Sequence, residues 1–385
     1  MKQKLLALFL SFGFLASQGQ VDPAYQQVAL ERAEKIVAEI TPRLETDKKP
    51  IVRDLVADQY TTLHAIHAER DRQLAEDGGN RDKILARAEA VVALQHEEYV
   101  SELQKLLTVE QVEGIKNGMT YYTVPKTYNN YLLMLPFATD EELAMILENL
   151  TEVREHAMDG GSAKEKHAWF NKYKGRIANA LAANGYNLKE EGERWAERRD
   201  LNSSATYITK SSSVMQKLAL SDKWQAEQVR NLLAFQYQQM DTIYATKELE
   251  TAEMNKAGLD EAEKEKRATQ IWEDSKKALN RQRDRFFEKL ALLLDDAQIE
   301  LVKNEMTHQG FPKELARFEE LLPALTDEHK AAIVAYLKEG RENALNVLMK
   351  RERNQWFAKY RGRANNYLSK QGYDLRKATE ELERR

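Results

Sequence analysis

The segment 158–167 combines glycine, carboxylate, lysine and histidine residues that together could bind an anion. Gly160 and Gly161 precede Ser162, a residue type that begins helices, and the free backbone N–H groups of a helix start favour negative charge. Glu165, three residues after Ser162, completes the pattern of a capping box. The segment therefore predicts an anion site at a helix N-terminus. Its candidate ligand-binding residues are Asp159, Lys166 and His167.

Basic residues continue along the helix predicted after this segment. Lys172, Arg176 and Asn179 lie at i, i+4 and i+7, hence on one helix face. An arginine there could hold a carboxylate or sulfate through two parallel hydrogen bonds, which makes Lys172 and Arg176 candidate ligand-binding residues. The alternative is structural, because Glu152 or Glu155 on the preceding helix could pair with the same face. All three residue types recur 187 positions later, which favours the structural interpretation.

Aromatic and histidine residues nearby are suited to contact with a sugar. Tyrosine rings can stack on a sugar face and keep a polar hydroxyl for hydrogen bonding. The tyrosines concerned are Tyr121, Tyr122 and Tyr128. His167 and Tyr173 are the candidate catalytic residues, since a histidine can transfer protons near neutral pH while a lysine or arginine neutralises a uronate carboxylate. This set would suit β-elimination on an acidic polysaccharide. A solvated or structural histidine is the alternative.

Three other histidines raise the question of a metal site. His64 and His67 lie one helical turn apart, and His96 follows in the same half of the chain. Two histidines at this spacing can share a metal, but a hydrated or partly buried pair is commoner, and we predict no metal site. The sequence has no cysteine, which excludes disulfides and thiolate ligands. It has no phosphate loop, nucleophile elbow or dinucleotide motif, and no cofactor is predicted.

The elements that must position these residues occur twice. Residues 169–176 align with 356–363 at an offset of 187. Over 103–198 and 290–385, 37 of 96 ungapped pairs are identical, which is far more than unrelated helical segments share. Upstream the offset becomes 177, and the ten extra residues fall in one charged stretch of the second copy. The chain is therefore an internal duplication.

Both copies have helical patterning. Glycine (16) and proline (7) are scarce, apolar residues recur at three-four spacing, and no alternating strand pattern is found. We predict an all-α protein made of two tandem copies of a helical bundle. Each bundle has two long antiparallel helices, with tips near 78–79 and near 258. The segment 121–131 is expected to be a connecting loop.

The N-terminus has the anatomy of a signal peptide. Two lysines precede an apolar run at 5–15, and small residues suited to cleavage follow. The run is too short to span a membrane of roughly 30 Å. We predict a signal peptide at 1–20, a first helical domain at 21–200 and a second, diverged helical domain at 201–385. The mature chain is expected to be periplasmic or secreted, without a membrane span.

Charge restricts the partners. The chain has 58 basic and 62 acidic residues and a net charge of −4, which disfavours nucleic acid as a partner. Any anion site must therefore be local. The sequence gives no indication of the oligomeric state.

Residues present in one copy only are the better functional candidates. In the first copy they are Tyr121, Tyr122, Tyr128, His156, Asp159, Gly160, Gly161, Ser162 and His167. The second copy has mainly apolar and amide residues at these positions. Loss of a site from the second copy needs fewer independent changes than its gain in the first. We therefore expect the intact site in the first copy.

Several segments carry a resemblance to a known family. They are 118–121, 154–159, 165–167 and 170–177. With these motifs, most of residues 25–198 resembles a bacterial family of exported proteins of unknown function, and 205–385 resembles a diverged second copy. The matched motif also contains Arg154, which completes the candidate ligand-binding set. The family is similar to proteins often encoded beside polysaccharide-degradation genes, which implies a setting in glycan utilisation. Two residues of the first copy depart from the family pattern: Asn187 stands where the family typically has aspartate, and Ala178 where it typically has asparagine.

Three functions remain open on this basis. The first is binding of an acidic, pectin-type oligosaccharide or polysaccharide by the first copy. The second is a polysaccharide lyase or hydrolase in which His167 and Tyr173 exchange protons. The third is a helical scaffold without catalysis, in which both copies only present surfaces.

Overall fold

The computed structural model describes residues 23–76, 78–201 and 204–384. Within these ranges the regular elements are sixteen α-helices and one short 3₁₀ turn, Gly78–Asn80, and no strand occurs. The prediction of an all-α protein is confirmed. The predicted signal peptide at 1–20 lies outside the described residues.

Eight helices belong to the first copy of the repeat. They are α1 (Pro23–Glu39), α2 (Lys48–Glu76), α3 (Arg81–Leu106), α4 (Val109–Met119), α5 (Thr123–Met134), α6 (Asp140–Met158), α7 (Ala163–Ala183) and α8 (Leu188–Leu201). The second copy repeats them in the same order. They are α9 (Ser204–Leu218), α10 (Lys223–Lys256), α11 (Glu261–Ala291), α12 (Asp296–Met306), α13 (Gly310–Leu321), α14 (Asp327–Ala344), α15 (Lys350–Lys370) and α16 (Leu375–Glu383).

The long antiparallel helices are present in both copies, as the sequence predicts. In the first copy α2 and α3 have 29 and 26 residues, whereas α10 and α11 have 34 and 31. The additional length lies at the helix tip, where Gly258 adopts a φ of +68°. A tip accepts extra turns readily, because its backbone is exposed to water in either case.

Side-chain caps determine where several helices begin and end. The Ser162 hydroxyl accepts a hydrogen bond from the backbone N–H of Glu165 at the start of α7. At the other end of this helix Gly185 has a φ of +91°, and the N–H of Tyr186 donates to the carbonyl of Leu181. This is a Schellman motif, in which a left-handed glycine stops the helix. Gly372 ends α15 in the same way, with a φ of +90°.

The segment 121–131, which was expected to be a loop, is mostly helical. Helix α5 begins at Thr123, so Pro125 falls in its first turn. The N–H groups of a first turn have no partner within the helix, and a proline there removes nothing. The loop expectation was wrong because it treated this proline as an interruption. Pro312 occupies the same place in α13.

A short reversal separates α4 from α5. Tyr121 and Tyr122 both have positive φ, 59° and 55°, although neither is glycine. The second copy places His308 and Gln309 in the same conformation, with φ of 54° and 62°. Left-handed backbone is uncommon for such residues. Since two chemically different residue pairs adopt it at equivalent positions, this backbone conformation is part of the fold that both copies share.

The described helices form two spatial units that differ from the sequence repeat. The first comprises the described residues up to Asn129 together with Asp140–Tyr186, and the second comprises Asn130–Thr139 and the described residues from Asn187 onward. Helix α8 thus belongs spatially to the second unit. In the first unit the apolar core is built from α1 to α4 together with Met158 at the end of α6, and it includes Leu103, Ile115 and Met119, each fully buried.

Candidate functional site

The predicted basic face of α7 is held by the preceding helix. The Tyr173 hydroxyl donates to the Glu152 carboxylate over 2.7 Å, and Arg176 Nη1 lies 3.1 Å from the same carboxylate. The Glu152 carboxylate raises the pKa of Tyr173 by this hydrogen bond. Lys172 lies over the Trp169 ring at 5.1 Å. These contacts support the structural interpretation of this face.

The second copy repeats these contacts. Tyr360 donates to Glu339 over 2.6 Å, Arg363 lies 3.3 Å from the same carboxylate, and Lys359 lies over Trp356 at 4.8 Å. Contacts that are present in both copies stabilise the helical bundle that the copies share.

Arg154 is also part of this shared scaffold. Its guanidinium is almost fully buried and lies 2.6 Å from the Glu113 carboxylate and 3.0 Å from the Asn117 side-chain oxygen. Arg341 makes the same two contacts in the second copy, to Glu300 at 2.9 Å and to the side chain of Asn304 at 2.8 Å. A buried arginine with these partners links two helices and does not reach a ligand at the surface.

The predicted anion site at the start of α7 is filled by the protein itself. The Gly161 N–H donates to the Glu165 carboxylate over 2.8 Å, and the Arg70 guanidinium lies 3.1 Å from the other oxygen of that carboxylate. Gly161 is required by close packing, because a Cβ at this position would lie 2.7 Å from the His67 ring. The N-terminus attracts negative charge, as expected, but Glu165 supplies it.

Asp159 lies beneath this loop in a network of charged groups. The residue is 6 % exposed, and one of its carboxylate oxygens lies 2.7 Å from His96 Nδ1. The other oxygen is buried without a hydrogen-bond partner among the described residues. His96 also lies 3.5 Å from the Glu155 carboxylate, which Lys116 approaches to 2.7 Å. Asp159 therefore binds a histidine of its own unit.

The network shifts the pKa values of its members. Hydrogen bonds, first with Asp159 and then with Glu155, raise the pKa of His96 to about 9 and keep it protonated at neutral pH. Burial opposes ionisation of Glu155, but hydrogen bonds from His96 and Lys116 and nearby positive charge lower its pKa to about 2. Both groups are therefore charged at neutral pH, as an ion-pair network requires.

Lys166 is buried beside the same network. Its ammonium group donates to the carbonyl oxygens of Met119 and Met158, each over 3.0 Å. These residues are the last of α4 and α6, where helix dipoles leave partial negative charge. Burial lowers the pKa of Lys166 to about 8 despite the nearby Asp159. Lys166 thus joins two helix C-termini and lies below the surface.

Tyr121 and His167 do come together at the surface. Their rings are nearly parallel, with centroids 6.2 Å apart, and both residues are exposed. Further rings and cations surround them. We define the Tyr121 patch as Tyr25, Arg32, Tyr60, His64, Tyr121 and His167, with Lys166 beneath.

Ring and cation contacts hold the patch together. Tyr25 stacks on His64 with centroids 3.8 Å apart. The Arg32 guanidinium lies 5.7 Å from the centroid of the Tyr60 ring, and Lys166 Nζ lies 5.4 Å from it. Tyr121 is close enough to Tyr25 and Tyr60 to raise the pKa of both, although burial is the larger cause. The sequence analysis did not identify Tyr25, Arg32 or Tyr60, since α1 and α2 meet here only through tertiary packing.

The remaining candidate residues lie apart from the patch. Tyr173 is six residues from His167 on the same helix, a separation that places the two on different faces. Tyr122 is half-buried, and burial is the main cause that raises its pKa to about 12. Tyr128 lies in α5. Tyr173 and Tyr122 form no contact with His167 in the described part of the chain.

The histidines considered for a metal site are engaged separately. His64 stacks on Tyr25, His67 Nε2 lies 2.7 Å from the Asp159 carbonyl oxygen, and His96 bonds to the Asp159 carboxylate. In the part of the chain that the structure describes, no group of three or more metal-ligating side chains comes together. In the same part, no helix combines the length and the apolar character needed to cross a membrane.

One family matches the chain. The model described as "Protein of unknown function (DUF3826)" matches residues 26–200 and again residues 205–385. No curated protein matches the chain significantly. The two matches together cover nearly the whole described chain, in agreement with the duplication seen in the sequence and in the helix order.

Proposed function

The chain belongs to the DUF3826 family of proteins of unknown function, as a tandem duplication, and we propose that its first copy binds an anionic saccharide at the Tyr121 patch. The proposed ligand is an oligosaccharide that carries carboxylates, such as a pectin-type uronate chain. The argument depends on the charge and the ring content of the patch, and on how the second copy differs at the same positions.

The charge of Arg32 is the single observation that carries the proposal. Arg32 is exposed and contacts the tyrosines Tyr25 and Tyr60, and it forms no ion pair with a carboxylate of the described residues. In the second copy, the buried stripe of α9 places Lys210 where α1 has Arg32. Lys210 lies 2.9 Å from Asp241, which replaces His64. The first copy thus leaves a cation available to a ligand where the second copy neutralises it.

The rings of the patch supply the second element of recognition. Tyr121 is 48 % exposed, and His167 beside it extends the aromatic surface. Sugar rings have apolar faces that stack on such residues, while a phenol hydroxyl remains available for hydrogen bonding. The second copy has His308 and Asn354 at these two positions, so its aromatic surface is smaller.

Lys166 adds positive charge below the patch. Its pKa of about 8 leaves it mostly protonated at neutral pH, and its ammonium group is fixed by two carbonyl oxygens. A fixed charge in a region of low dielectric attracts an anion more strongly than a hydrated surface lysine does. The patch therefore combines one exposed and one buried cation with stacked rings.

Calorimetry with trigalacturonate and with neutral maltotriose tests the proposal. We expect the uronate to bind, Arg32→Ala and Tyr121→Ala each to weaken its binding at least tenfold, and maltotriose to bind far more weakly. Lys210→Ala is the matched control, because it changes the corresponding cation of the second copy. Equal binding of both sugars, or uronate binding whose affinity and stoichiometry are both unchanged in Arg32→Ala, would contradict the proposal.

A lyase or hydrolase using His167 and Tyr173 has no observation in its favour. The Tyr173 hydroxyl is bound to Glu152, and its counterpart Tyr360 makes the same bond in the second copy. The group that exchanges a proton with His167 would have to be part of the substrate or the hydroxyl of Tyr121. Activity that generates unsaturated uronate and is lost in His167→Ala would favour this second function.

Export completes the proposal, since a protein that binds polysaccharide has to meet it outside the cytoplasm. The supporting feature is the lysine and apolar pattern of residues 1–20. Fractionation of an expressing bacterium followed by N-terminal sequencing tests it. A periplasmic chain that begins near residue 20 is expected, whereas a cytoplasmic chain that retains Met1 would contradict export.

A further inference from the structure

The second unit contains a large pocket between α10, α11 and α15. Its volume is about 520 Å³, within the range of roughly 300–1,000 Å³ typical of small-molecule sites. The indoles of Trp272 and Trp356 and the ring of Tyr244 line it. Trp272 is 49 % exposed, so part of its indole is accessible to a ligand in the pocket. The sequence analysis identified no candidate binding residues around this pocket.

Amide groups supply polar contacts in the same pocket. Asn280, Asn343 and Asn346 line it, and the Asn346 amide N–H donates to the side-chain oxygen of Asn280 over 2.7 Å. The Asn346 side-chain oxygen is buried and has no hydrogen-bond partner among the described residues. A buried amide oxygen without a partner costs free energy, and a ligand hydroxyl in the pocket would supply the missing bond.

The lining also has an excess of positive charge. Three lysines and one carboxylate, Glu352, face the pocket. The lysines are Lys247, Lys276 and Lys359. Lys276 Nζ lies 4.7 Å from the centroid of the Trp272 ring, and Lys359 Nζ lies 4.8 Å from that of Trp356. None of the three forms an ion pair with a carboxylate in the described part of the chain, so their charges remain to be matched by a ligand.

The first unit closes the corresponding space. Hydrogen bonds between Gln95 and Gln59 and between Gln282 and Gln236 show that the two helix pairs share one register. The first unit has Arg70 at the position of Lys247. An ion pair with Glu165 holds the Arg70 side chain across the space that corresponds to the pocket. The crevice that Arg70 lines between α2 and α3 has a volume of only about 10 Å³.

Two further replacements open the pocket in the second unit. His156 stacks on the Trp169 indole with centroids 4.7 Å apart and covers it. Asn343 at the same position is shorter and bonds to the Glu339 carbonyl instead, so that Trp356 can face the pocket. Trp272 replaces Leu85 and adds a second indole to the wall.

We infer that this pocket is a second binding site of the chain, and that it takes a carboxylated oligosaccharide. The two indoles stack on sugar faces, the three amides bond to sugar hydroxyls, and the unpaired lysines match carboxylates. A nucleotide would find rings and cations here, but the pocket has no glycine loop suited to phosphate, and amides make up much of its polar lining. The site is separate from the Tyr121 patch and extends the proposed function to the second copy.

Tryptophan fluorescence with trigalacturonate tests the inference on the full chain. We expect saturable quenching, at least tenfold weaker binding in Trp272→Ala, and a similar loss in Asn343→His, which restores the covering ring of the first copy. Leu85→Ala is the matched control at the corresponding position and should bind as the unaltered chain does. Circular dichroism verifies that each variant folds, which is expected because Trp272 is half exposed.

The outcomes separate this site from the Tyr121 patch. Calorimetry should give a stoichiometry of two trigalacturonate molecules per chain. One binding site should be lost in Trp272→Ala and the other in Arg32→Ala. Two sites that both survive Trp272→Ala, or an absence of quenching, would overturn the inference whatever happens at the patch. Binding of maltotriose as tight as that of trigalacturonate would overturn the assigned ligand class. One site that is lost in Trp272→Ala alone would support the pocket and contradict the patch.

Discussion

The two copies of the repeat share their supporting contacts and differ where those contacts meet solvent. Arg154 and Arg341 are each buried against a glutamate and an asparagine of an earlier helix, α4 in the first copy and α12 in the second. Tyr173 and Tyr360 each bond to a glutamate of the helix before them. The surfaces above differ in residue type and in shape, from a closed loop with glycines to an open pocket with indoles. The comparison teaches that duplication preserved the bundle and left its surface free to diverge.

One contact illustrates how the fold tolerates this divergence. His67 lies 2.7 Å from the Asp159 carbonyl oxygen, and Tyr244 donates to the Asn346 carbonyl oxygen over 2.9 Å. Both residues satisfy the carbonyl of the same loop position, although one is an imidazole and the other a phenol. The backbone requirement is therefore constant, and the chemistry that meets it can change.

The buried arginines should give the largest effects. Arg154→Met and Arg341→Met should each lower the free energy of unfolding by about 3 kcal/mol, because their carboxylate and amide partners lose the charge that compensates them. Urea unfolding followed by circular dichroism measures this. Arg176→Met and Arg363→Met are the controls, and these exposed pairs should cost less than about 1 kcal/mol. An equal cost for buried and exposed arginines would remove the distinction between scaffold and surface.

The Asp159 network should give the next largest effect, and only in the first copy. Asp159→Asn, which introduces the residue of the second copy, should cost about 2 kcal/mol because His96 loses its charged partner. Adding His96→Arg should recover part of this loss, since Arg283 stands at that position in the second copy and bonds to the Glu342 carbonyl. If Asp159→Asn is as stable as the unaltered chain, the network contributes nothing specific to the first copy.

The pH dependence of stability should separate the copies further. The pKa of His96 is raised from 6.5 to about 9, mainly by Asp159, so its contribution is complete below pH 6.5 and is lost as the pH rises through 9. The pKa of Glu155 is lowered from 4.5 to about 2, so its contribution is present above pH 4.5 and is lost as the pH falls through 2. These two groups contribute fully between pH 4.5 and 6.5.

The loss of stability at alkaline pH is measured by thermal unfolding of the unaltered chain and of the His96→Arg variant over a series of pH values. The variant should lose less stability between pH 6.5 and 9, since arginine does not titrate there. The contribution of Lys166 to stability rises above pH 8, because burial lowers the pKa of this group. The rise is the same in both proteins and therefore cancels when their stabilities are compared. Identical alkaline slopes in the two proteins would contradict the raised pKa of His96.

Helix glycines should give the smallest effects. Gly175 and Gly362 lie within α7 and α15 at equivalent positions, and a Cβ on either would meet nothing within 4 Å. Gly175→Ala and Gly362→Ala should each stabilise the protein by about 0.5–1 kcal/mol, through the lower backbone entropy of the unfolded chain. Gly161→Ala should destabilise it, because the new Cβ would lie 2.7 Å from the His67 ring. A Gly161→Ala variant that unfolds at or above the temperature of the unaltered chain would show that the loop glycine is not required for packing.

Much of the fold could be predicted from the sequence because the determinants are local. Ser162 and Gly185 mark the ends of α7 through backbone hydrogen bonds within one turn, and the structure has both. The loop expectation for 121–131 failed for a local reason as well, since the position of Pro125 within a helix turn decides whether it interrupts. The ten additional residues of the second copy fall at the tip of a long helix pair, as the sequence predicts.

The candidate site was predicted only in part. Tyr121 and His167 were identified as residues of the first copy alone, and they do come together. Arg32 was missed because an exposed arginine has no distinguishing pattern until the fold places it beside Tyr60. The pocket of the second copy was missed because Trp272 appears in the sequence as an ordinary member of a charged helix.

By itself, the sequence determined the helical class, the duplication, the helix ends and the residues that differ between the copies, since period, caps and repetition act over short distances along the chain. Only the tertiary structure decided which charges are already matched. Glu165 fills the predicted anion site, and Glu152 binds the predicted basic face, whereas the lysines beside Trp272 and Trp356 have no carboxylate partner among the described residues. Charge matching depends on distances between helices remote in sequence, and packing of the whole bundle sets those distances.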